Sequence, residues 1–236
     1  MDIQQLIDFD KMLLLQLNGS DSLFWDGFMY IVTKTNTWIP AAIALLYVIF
    51  KNNNLKRGAT IVCLIALVIV LADQTASGIC KPLFERFRPT KDPEFMNMVD
   101  IVNNYRAGGM YGFISSHAAN TFAVAMFISL LVKNSRMTFM MFMWALIPTY
   151  SRVYLGVHYP GDVFFGMIDG MLCGALVYFL YIFAVKKLAL KHRFISTQYT
   201  DSGYDVQSVN VVVLVLLLTY LYAVIYGMIM SKSMFF

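Results

Sequence analysis

The stretch VNVVVLVLLLTYLYAVIYGMIM, residues 209–230, contains no aspartate, glutamate, lysine or arginine. A helix that crosses a bilayer needs about 20 mainly apolar residues, because its backbone N–H and C=O groups find no water in the hydrocarbon core. This stretch is long and apolar enough to be such a helix. Across the chain, 59% of the 236 residues are apolar and 14% are charged, which departs from soluble domains in both respects. The sequence therefore predicts an all-α membrane protein.

Five further apolar stretches are predicted to be membrane spans: residues 28–50, 60–77, 118–132, 139–154 and 163–185. Together with residues 209–230 they predict a polytopic bundle of about six spans. Polar residues 33–37 interrupt the first stretch, so residues 22–50 form either one span or a broken, partly interfacial helix. We assign residues 22–236 to a single membrane domain.

Residues 1–21 precede the first span and carry apolar side chains on roughly one face of a predicted helix: Ile3, Leu6, Ile7, Leu13, Leu14 and Leu17. This pattern predicts an interfacial amphipathic helix that lies along the membrane surface. The segment lacks the basic leader and the small-residue cleavage site of a signal peptide, so we expect it to be retained.

Basic residues predict which loops face the cytoplasm. The connections after the first, third and fifth spans carry nine of them against two acids, Asp201 and Asp205: Lys51, Lys56, Arg57, Lys133, Arg136, Lys186, Lys187, Lys191 and Arg193. The positive-inside rule makes these connections cytoplasmic. His192 lies among them and is expected to be a surface residue without a catalytic part.

Residues 80–116 and the loop around His158 then face the external side of the cell (inner) membrane. Six basic residues on that side run against the positive-inside rule unless they have a function: Lys81, Arg86, Arg88, Lys91, Arg106 and Arg152. The basic residues are spread over several loops and form no single stripe, so the positive net charge does not indicate a nucleic-acid partner.

Two short motifs stand at membrane boundaries on this side. KPLFERFRP, residues 81–89, contains cations that can bind an anion or simply snorkel to the interface. FISSH, residues 113–117, begins a span with serines that can cap the helix, and a helix N-terminus favours bound negative charge. Each motif alone is a weak signal, because snorkelling cations and serine caps are common.

The third motif, SRVYLGVHYPGD at residues 151–162, bridges the fourth and fifth spans. Pro160 and Gly161 turn the chain, so that Asp162 can approach His158. A carboxylate in that position accepts the imidazole Nδ1–H, fixes the tautomer and leaves Nε2 free for nucleophilic attack. The alternative is a solvated loop whose histidine has no chemical role.

The order and spacing of the three motifs resemble the type 2 phosphatidic acid phosphatase superfamily, whose signature is K-x6-RP, then PSGH, then SR-x5-H-x3-D. The first and third parts are matched in full. The middle part departs from the signature, since Ile114 stands in the place of proline and Ser116 in the place of glycine. The serine and histidine of that part are kept. The resemblance extends over about residues 60–185 and implies that these residues form the catalytic core.

The resemblance implies a phosphatase mechanism in which a histidine forms a phosphohistidine. His158 is implied as the nucleophile, Asp162 as the residue that orients it, and His117 as the proton donor to the leaving oxygen. The phosphate oxygens are expected to be bound by Lys81, Arg88, Arg152, Ser115 and Ser116. Arginine suits this role because its planar fork pairs with two oxygens. No carboxylate cluster of the magnesium type accompanies these residues, so we expect neither a metal nor another cofactor.

The resemblance also implies a lipid phosphate or diphosphate as substrate, with membrane lipids around the protein. The candidates are undecaprenyl diphosphate, phosphatidylglycerol phosphate, phosphatidic acid and a lipid A phosphate. Two other functions stay open: a phosphotransferase whose acceptor is a lipid or sugar hydroxyl, and a silent lipid-binding or transport protein that reuses the fold.

Overall fold

A computed structural model describes residues 2–186 and 197–232. Nine helices follow one another: α1 (Ile3–Leu17), α2 (Leu23–Val32), α3 (Ile39–Asn52), α4 (Leu55–Asp73), α5 (Lys81–Phe84), α6 (Ser116–Val132), α7 (Ser135–Tyr154), α8 (Pro160–Lys186) and α9 (Val206–Lys232) among the described residues. A π-helical segment, Gln74–Cys80, joins α4 to α5. The only strand-like pairings in these ranges are two isolated bridges. The predicted all-α fold is confirmed.

Three helices of the described ranges are long and apolar enough to cross a bilayer: Leu55–Phe84, Pro160–Ala184 and Val206–Ser231. The pair Leu23–Val32 and Thr35–Asn52 adds a fourth candidate if it counts as one broken span. Helix α6 is apolar but shorter, with 17 residues. The count of six spans therefore stays a prediction, whereas the membrane helix bundle itself is shown.

The first predicted span is a broken helix. The chain bends by 71° between α2 and the segment that leads into α3. Thr37 Oγ1 donates to the carbonyl of Ile31 at 2.7 Å, and Trp38 Nε1 donates to the carbonyl of Val32 at 2.9 Å. These side chains satisfy carbonyls that the end of a helix leaves without partners, so the break carries little penalty inside the protein. Of the two possibilities for residues 22–50, the broken helix is correct.

Helices α6 and α8 pack against each other along a row of small residues. Gly166, Gly170 and Gly174 recur at every fourth position of α8 and therefore share one face. A Cβ atom at Gly170 or Gly174 would collide with the carbonyl oxygen of Ala119 or Ala123 on α6. Small residues of this kind let two helices approach closely inside a membrane. The first turns of both helices consequently meet at the same end of the bundle.

Helix α1 packs against that same end. Its buried Leu14 belongs to a small apolar cluster with Phe95, Val153 and Tyr159. Three further apolar residues, Ile7, Leu13 and Leu17, are partly buried. Five others are exposed: Ile3, Leu6, Phe9, Met12 and Leu15. The segment is helical, and its role as an amphipathic helix on the membrane surface stays a prediction. Four predicted cytoplasmic residues, Lys187, His192, Lys191 and Arg193, lie outside the described residues.

Candidate active site

His158 lies in the turn before α8 and is almost fully buried. Arg88 donates from Nη1 to His158 Nε2 at 2.7 Å, and also to the carbonyl of Val157 at 3.1 Å. On the other side of the ring, His158 Nδ1 lies 3.4 Å from Asp162 Oδ2. The same carboxylate oxygen accepts from the backbone N–H of Tyr159 at 3.1 Å. The structure thus brings together an imidazole, a guanidinium and a carboxylate from the first and third motifs.

The contacts of His158 determine its tautomer. A guanidinium only donates, so the nitrogen that faces Arg88 must be an acceptor and the ring proton lies on Nδ1, toward Asp162. Burial, followed by the positive charges of Arg88, Arg152 and Lys81, holds the pKa of His158 well below its ordinary value. At neutral pH the ring is therefore uncharged, and Nε2 carries the lone pair that a nucleophile needs.

Arg88 covers the attacking atom in this state. Its Nη1 occupies the lone pair of His158 Nε2, while its buried Nε has no hydrogen-bond partner among the described residues. A phosphate that accepts from Nε and the neighbouring Nη2, which form one edge of the guanidinium fork, would give Nε the partner that it lacks. His158 Nε2 can attack phosphorus only once Arg88 Nη1 no longer occupies its lone pair.

Lys81 and Ser116 meet at the mouth of the site. Lys81 Nζ donates to Ser116 Oγ at 3.0 Å and to Ser77 Oγ at 2.8 Å, and Ser77 in turn donates to Asp73 Oδ1 at 3.3 Å. This chain of contacts holds the ammonium group beside the first turn of α6. Lys81 and Arg88 both line a cavity of about 360 Å³, which makes it a candidate entrance for a phosphate group.

Ser115 and His117 occupy the start of α6 but act differently. Ser115 is fully buried, its Oγ accepts from the backbone N–H of Ala118 at 3.4 Å, and its own N–H donates to the carbonyl of Asp162 at 2.9 Å. It therefore caps α6 and ties it to α8, and a direct contact of its side chain with phosphate stays a prediction.

His117 Nε2 is buried without a hydrogen-bond partner in the described ranges and is available to a bound molecule.

Arg152 is held by residues that the motifs did not indicate. Its Nη1 donates to Thr33 Oγ1 at 2.8 Å and to the hydroxyl of Tyr105 at 2.6 Å, while its buried Nε has no partner in the part of the chain that the structure describes. Its carbonyl accepts from the N–H of His158 at 3.3 Å. Its guanidinium has no hydrogen bond to the His158 ring, although its charge acts on that ring.

Arg86 is the residue of this site that the motif comparison missed. Its Nη1 donates to Asp162 Oδ1 at 2.9 Å, and its Nη2 donates to Asp10 Oδ2 of α1 at 2.7 Å. Asp10 Oδ1 also accepts from the backbone N–H of Gly161 at 2.8 Å. The signal in the sequence was a basic residue on the side where the positive-inside rule predicts few. Its acidic partner on α1 had no signal in the sequence.

Arg86 neutralises the buried carboxylate that orients His158, so its loss should impair turnover. We expect Arg86→Gln to lower kcat by about 10- to 100-fold, the loss that is typical when a partner that orients a functional side chain is removed. KM should change little, because Arg86 does not line the cavity of about 360 Å³ beside Lys81 and Arg88. Arg86→Lys should restore part of kcat. Steady-state kinetics check this prediction. Arg106→Gln is the matched control, because Arg106 is an exposed arginine of the same loop. A normal kcat in Arg86→Gln would contradict the prediction.

No group of three or more histidine, cysteine, aspartate or glutamate side chains within residues 2–186 and 197–232 is arranged to hold a metal ion. The site also contains fixed positive charges, which could stabilise a phosphate. Lys81, Arg88 and Arg152 come from three separate segments, and the first turn of α6 adds its backbone N–H groups.

Comparisons with known proteins identify the family of the chain. The family model of the PAP2 superfamily matches residues 58–187. The chain is 37% identical over 231 residues to a lipid A 4'-phosphatase of Bacteroides thetaiotaomicron, a match that covers 97% of this chain and 100% of the relative. It is 35% identical over 182 residues to a lipid A 4'-phosphatase of Porphyromonas gingivalis, with 77% of each chain covered.

A third relative is an undecaprenyl-diphosphatase of Sulfolobus acidocaldarius, which is 31% identical over 182 residues that cover 75% of this chain and 79% of the relative. No solved structure matches the chain. The family match spans more than half of the sequence and contains all three polar motifs. The chain therefore belongs to the PAP2 superfamily and is a membrane lipid phosphatase.

Proposed function

We propose that this protein hydrolyses a phosphate monoester on the sugar of a lipid A-type glycolipid, through a phosphohistidine at His158. The observation that supports the chemistry is the placement of neutral His158 between Arg88 and Asp162. The observation that supports the substrate is the similarity over nearly the whole chain to a lipid A 4'-phosphatase. The three relatives named above are all lipid phosphatases by name, and two of them act on lipid A. The choice of a glycolipid as the substrate is therefore a further step of the proposal.

In the first step His158 Nε2 forms a bond to phosphorus while the bond from phosphorus to the sugar oxygen breaks. Three cations face the equatorial oxygens, where positive charge stabilises the transition state. His117 donates its proton to the leaving oxygen, since the bound phosphate brings negative charge that favours a protonated imidazole. In the second step water attacks the phosphohistidine, gives its proton to His117 and releases inorganic phosphate, which restores both histidines.

A second candidate substrate is supported by the undecaprenyl-diphosphatase among the relatives. A diphosphate presents the same terminal phosphoryl group to His158, but its leaving group is a lipid phosphate, which departs without strong acid assistance. A hydroxyl acceptor in place of water would make the protein a phosphotransferase. Both alternatives keep the attack of His158 Nε2 on phosphorus; the first changes the leaving group and the second changes the acceptor.

Phosphate release by the purified full chain in detergent tests the proposal. We expect the highest kcat/KM with a 4'-phosphorylated lipid A, lower values with undecaprenyl diphosphate and phosphatidic acid, full activity in excess chelator, and inhibition by vanadate. The phosphorus lost from the substrate should be recovered as free phosphate, with none transferred to an acceptor lipid, as a phosphotransferase would require. A clear preference for undecaprenyl diphosphate would overturn the substrate assignment, and activity that chelation removes and magnesium restores would overturn the metal-free mechanism.

We also propose that the site faces the external side of the inner membrane. The support is the distribution of basic residues, because the loops opposite the site carry the cations that the positive-inside rule places in the cytoplasm. The test places single cysteines at Asn104 and at Lys56, both exposed, in a chain without Cys63, Cys80 and Cys173. A membrane-impermeant thiol reagent added to spheroplasts should label the first and not the second. The reverse pattern would place the site in the cytoplasm.

A further inference from the structure

A second cavity, of about 480 Å³, lies among α3, α4, α6, α7 and α9. We call it the interhelical cavity. Its volume falls in the range of about 300–1,000 Å³ that is usual for ligand sites. His117, the proposed proton donor to the leaving oxygen, lines one part of it, so the cavity borders the proposed position of the reacting bond. Ile39 and Leu46 of α3 and Ile69 of α4 also line it and are exposed at the protein surface. An apolar chain can therefore extend from the reacting bond toward the surrounding lipid.

The interhelical cavity is apolar except for a few side chains. Val62, Val124 and Leu216 are typical of its walls. Two polar atoms in it are buried and have no hydrogen-bond partner within the described residues, in addition to His117: Asn120 Oδ1 and Trp144 Nε1. Buried polar groups are normally paired, so an unpaired acceptor and an unpaired donor in one apolar cavity point to a ligand that pairs them.

The position of Asn120 relates these groups to the reaction. It follows His117 by three residues on α6, which is about 4.5 Å along the helix axis and close to the same helix face. A group that binds Asn120 is therefore only a few bonds from the oxygen that His117 protonates. Trp144 on α7 lines the same cavity and also contacts the ring of Trp38 edge to face, with the ring centroids 6.2 Å apart.

We propose that the interhelical cavity binds one acyl chain of the substrate and that Asn120 and Trp144 select a chain with a hydroxyl group near the phosphorylated end. This inference rests on the proposed function and names the chain that the site prefers. A hydroxyl has the chemistry that both residues lack, because it can donate to Asn120 Oδ1 and accept from Trp144 Nε1. A carbonyl oxygen satisfies only Trp144, and a hydrocarbon chain without oxygen satisfies neither. The preferred order is therefore hydroxyacyl, plain acyl, then prenyl.

The test uses two synthetic phosphorylated glucosamine lipids that differ only in one acyl chain, either β-hydroxylated or plain and of equal length. Wild-type protein should favour the hydroxylated chain by about 10-fold in kcat/KM, the value of one hydrogen bond in a site that otherwise leaves its groups unpaired. Asn120→Leu removes the acceptor and Trp144→Phe removes the donor while keeping an aromatic ring, and each should bring that ratio close to one. Turnover of a water-soluble aryl phosphate normalises every variant for its content of active enzyme.

A second pair of variants tests the position of the chain. The two variants are Ala42→Phe at the exposed rim of the cavity and Val124→Phe inside it. Each should lower kcat/KM for both long-chain lipids by at least 10-fold relative to the aryl phosphate, because the added ring takes up the volume of the chain. Val211→Phe is the matched control, since Val211 lies on α9 at the protein surface and does not line the cavity. The rim variant keeps the test valid if the buried variant fails to fold.

The outcomes separate the two proposals. Wild-type turnover of both lipids at equal kcat/KM, with no effect of the filling variants on either, would show that the chain lies elsewhere and would leave the phosphatase assignment intact. A hydroxyacyl preference that survives in both Asn120→Leu and Trp144→Phe would show that other residues select the chain. Absence of phosphate release from every lipid, together with turnover of the aryl phosphate, would overturn the proposed function and this inference with it.

Discussion

His158→Ala is expected to lower phosphate release by about 10⁴-fold or more, as the loss of a covalent nucleophile does in other hydrolases. The reason is that Nε2 of His158, which Arg88 contacts in this structure, is the atom that bonds to phosphorus in the proposed first step. Incubation of the wild-type protein with substrate labelled in its phosphate should also trap labelled protein. The trapped bond should be labile in acid and stable in alkali, as a phosphorus–nitrogen bond is, and His158→Ala should trap no label.

The buried position of His158 requires a check on folding, because alanine leaves Arg88 and Asp162 without their partner. His158→Gln is the second variant, since its amide oxygen can accept from Arg88 while its amide cannot form a stable phosphorylated intermediate. Equal thermal unfolding midpoints in detergent would show that both variants fold. His192→Ala is the matched histidine control and should keep normal activity. Trapped label in either His158 variant would assign the nucleophile to another residue.

His117→Ala is expected to lower kcat/KM for a sugar phosphate by about 10²- to 10⁴-fold, the range for a lost general acid. The effect should depend strongly on the leaving group, because a sugar alkoxide must be protonated as it departs and a nitrophenolate need not be. With a nitrophenyl phosphate the first step should therefore survive. The second step should stay slow, because His117 also accepts a proton from the attacking water.

This difference predicts a burst that stopped-flow absorbance can measure. His117→Ala should release about one nitrophenolate per protein molecule quickly and then turn over slowly, since phosphohistidine accumulates. His158→Ala is the control and should show no burst, because it lacks the atom that is phosphorylated. A loss of equal size for the sugar and nitrophenyl phosphates in His117→Ala, with no burst, would mean that His117 binds the phosphate and does not act as the acid.

The membrane fold and the candidate reacting groups were both predicted from local features of the sequence. Apolar stretches such as residues 209–230 predict helices because the transfer of each residue into lipid is favourable whatever its neighbours are. The spacing of Arg152, His158 and Asp162 within one short loop limits how far apart they can lie. Even the break at residues 33–37 had a local signal, although two possibilities remained until the contacts of Thr37 and Trp38 were known.

The sequence by itself therefore determined that the chain is a helical membrane protein with a histidine-based phosphatase motif. Only the tertiary structure decided which cation serves which atom: Arg88 covers His158 Nε2, Arg86 joins Asp162 to Asp10, and Thr33 holds Arg152. Asp10 and Arg86 are 76 residues apart, and Thr33 and Arg152 are 119 apart. Such contacts depend on the directions in which packed helices present their side chains. Those directions are set by close approaches between helices, such as that of α6 and α8. The hydropathy pattern along the chain does not encode these approaches.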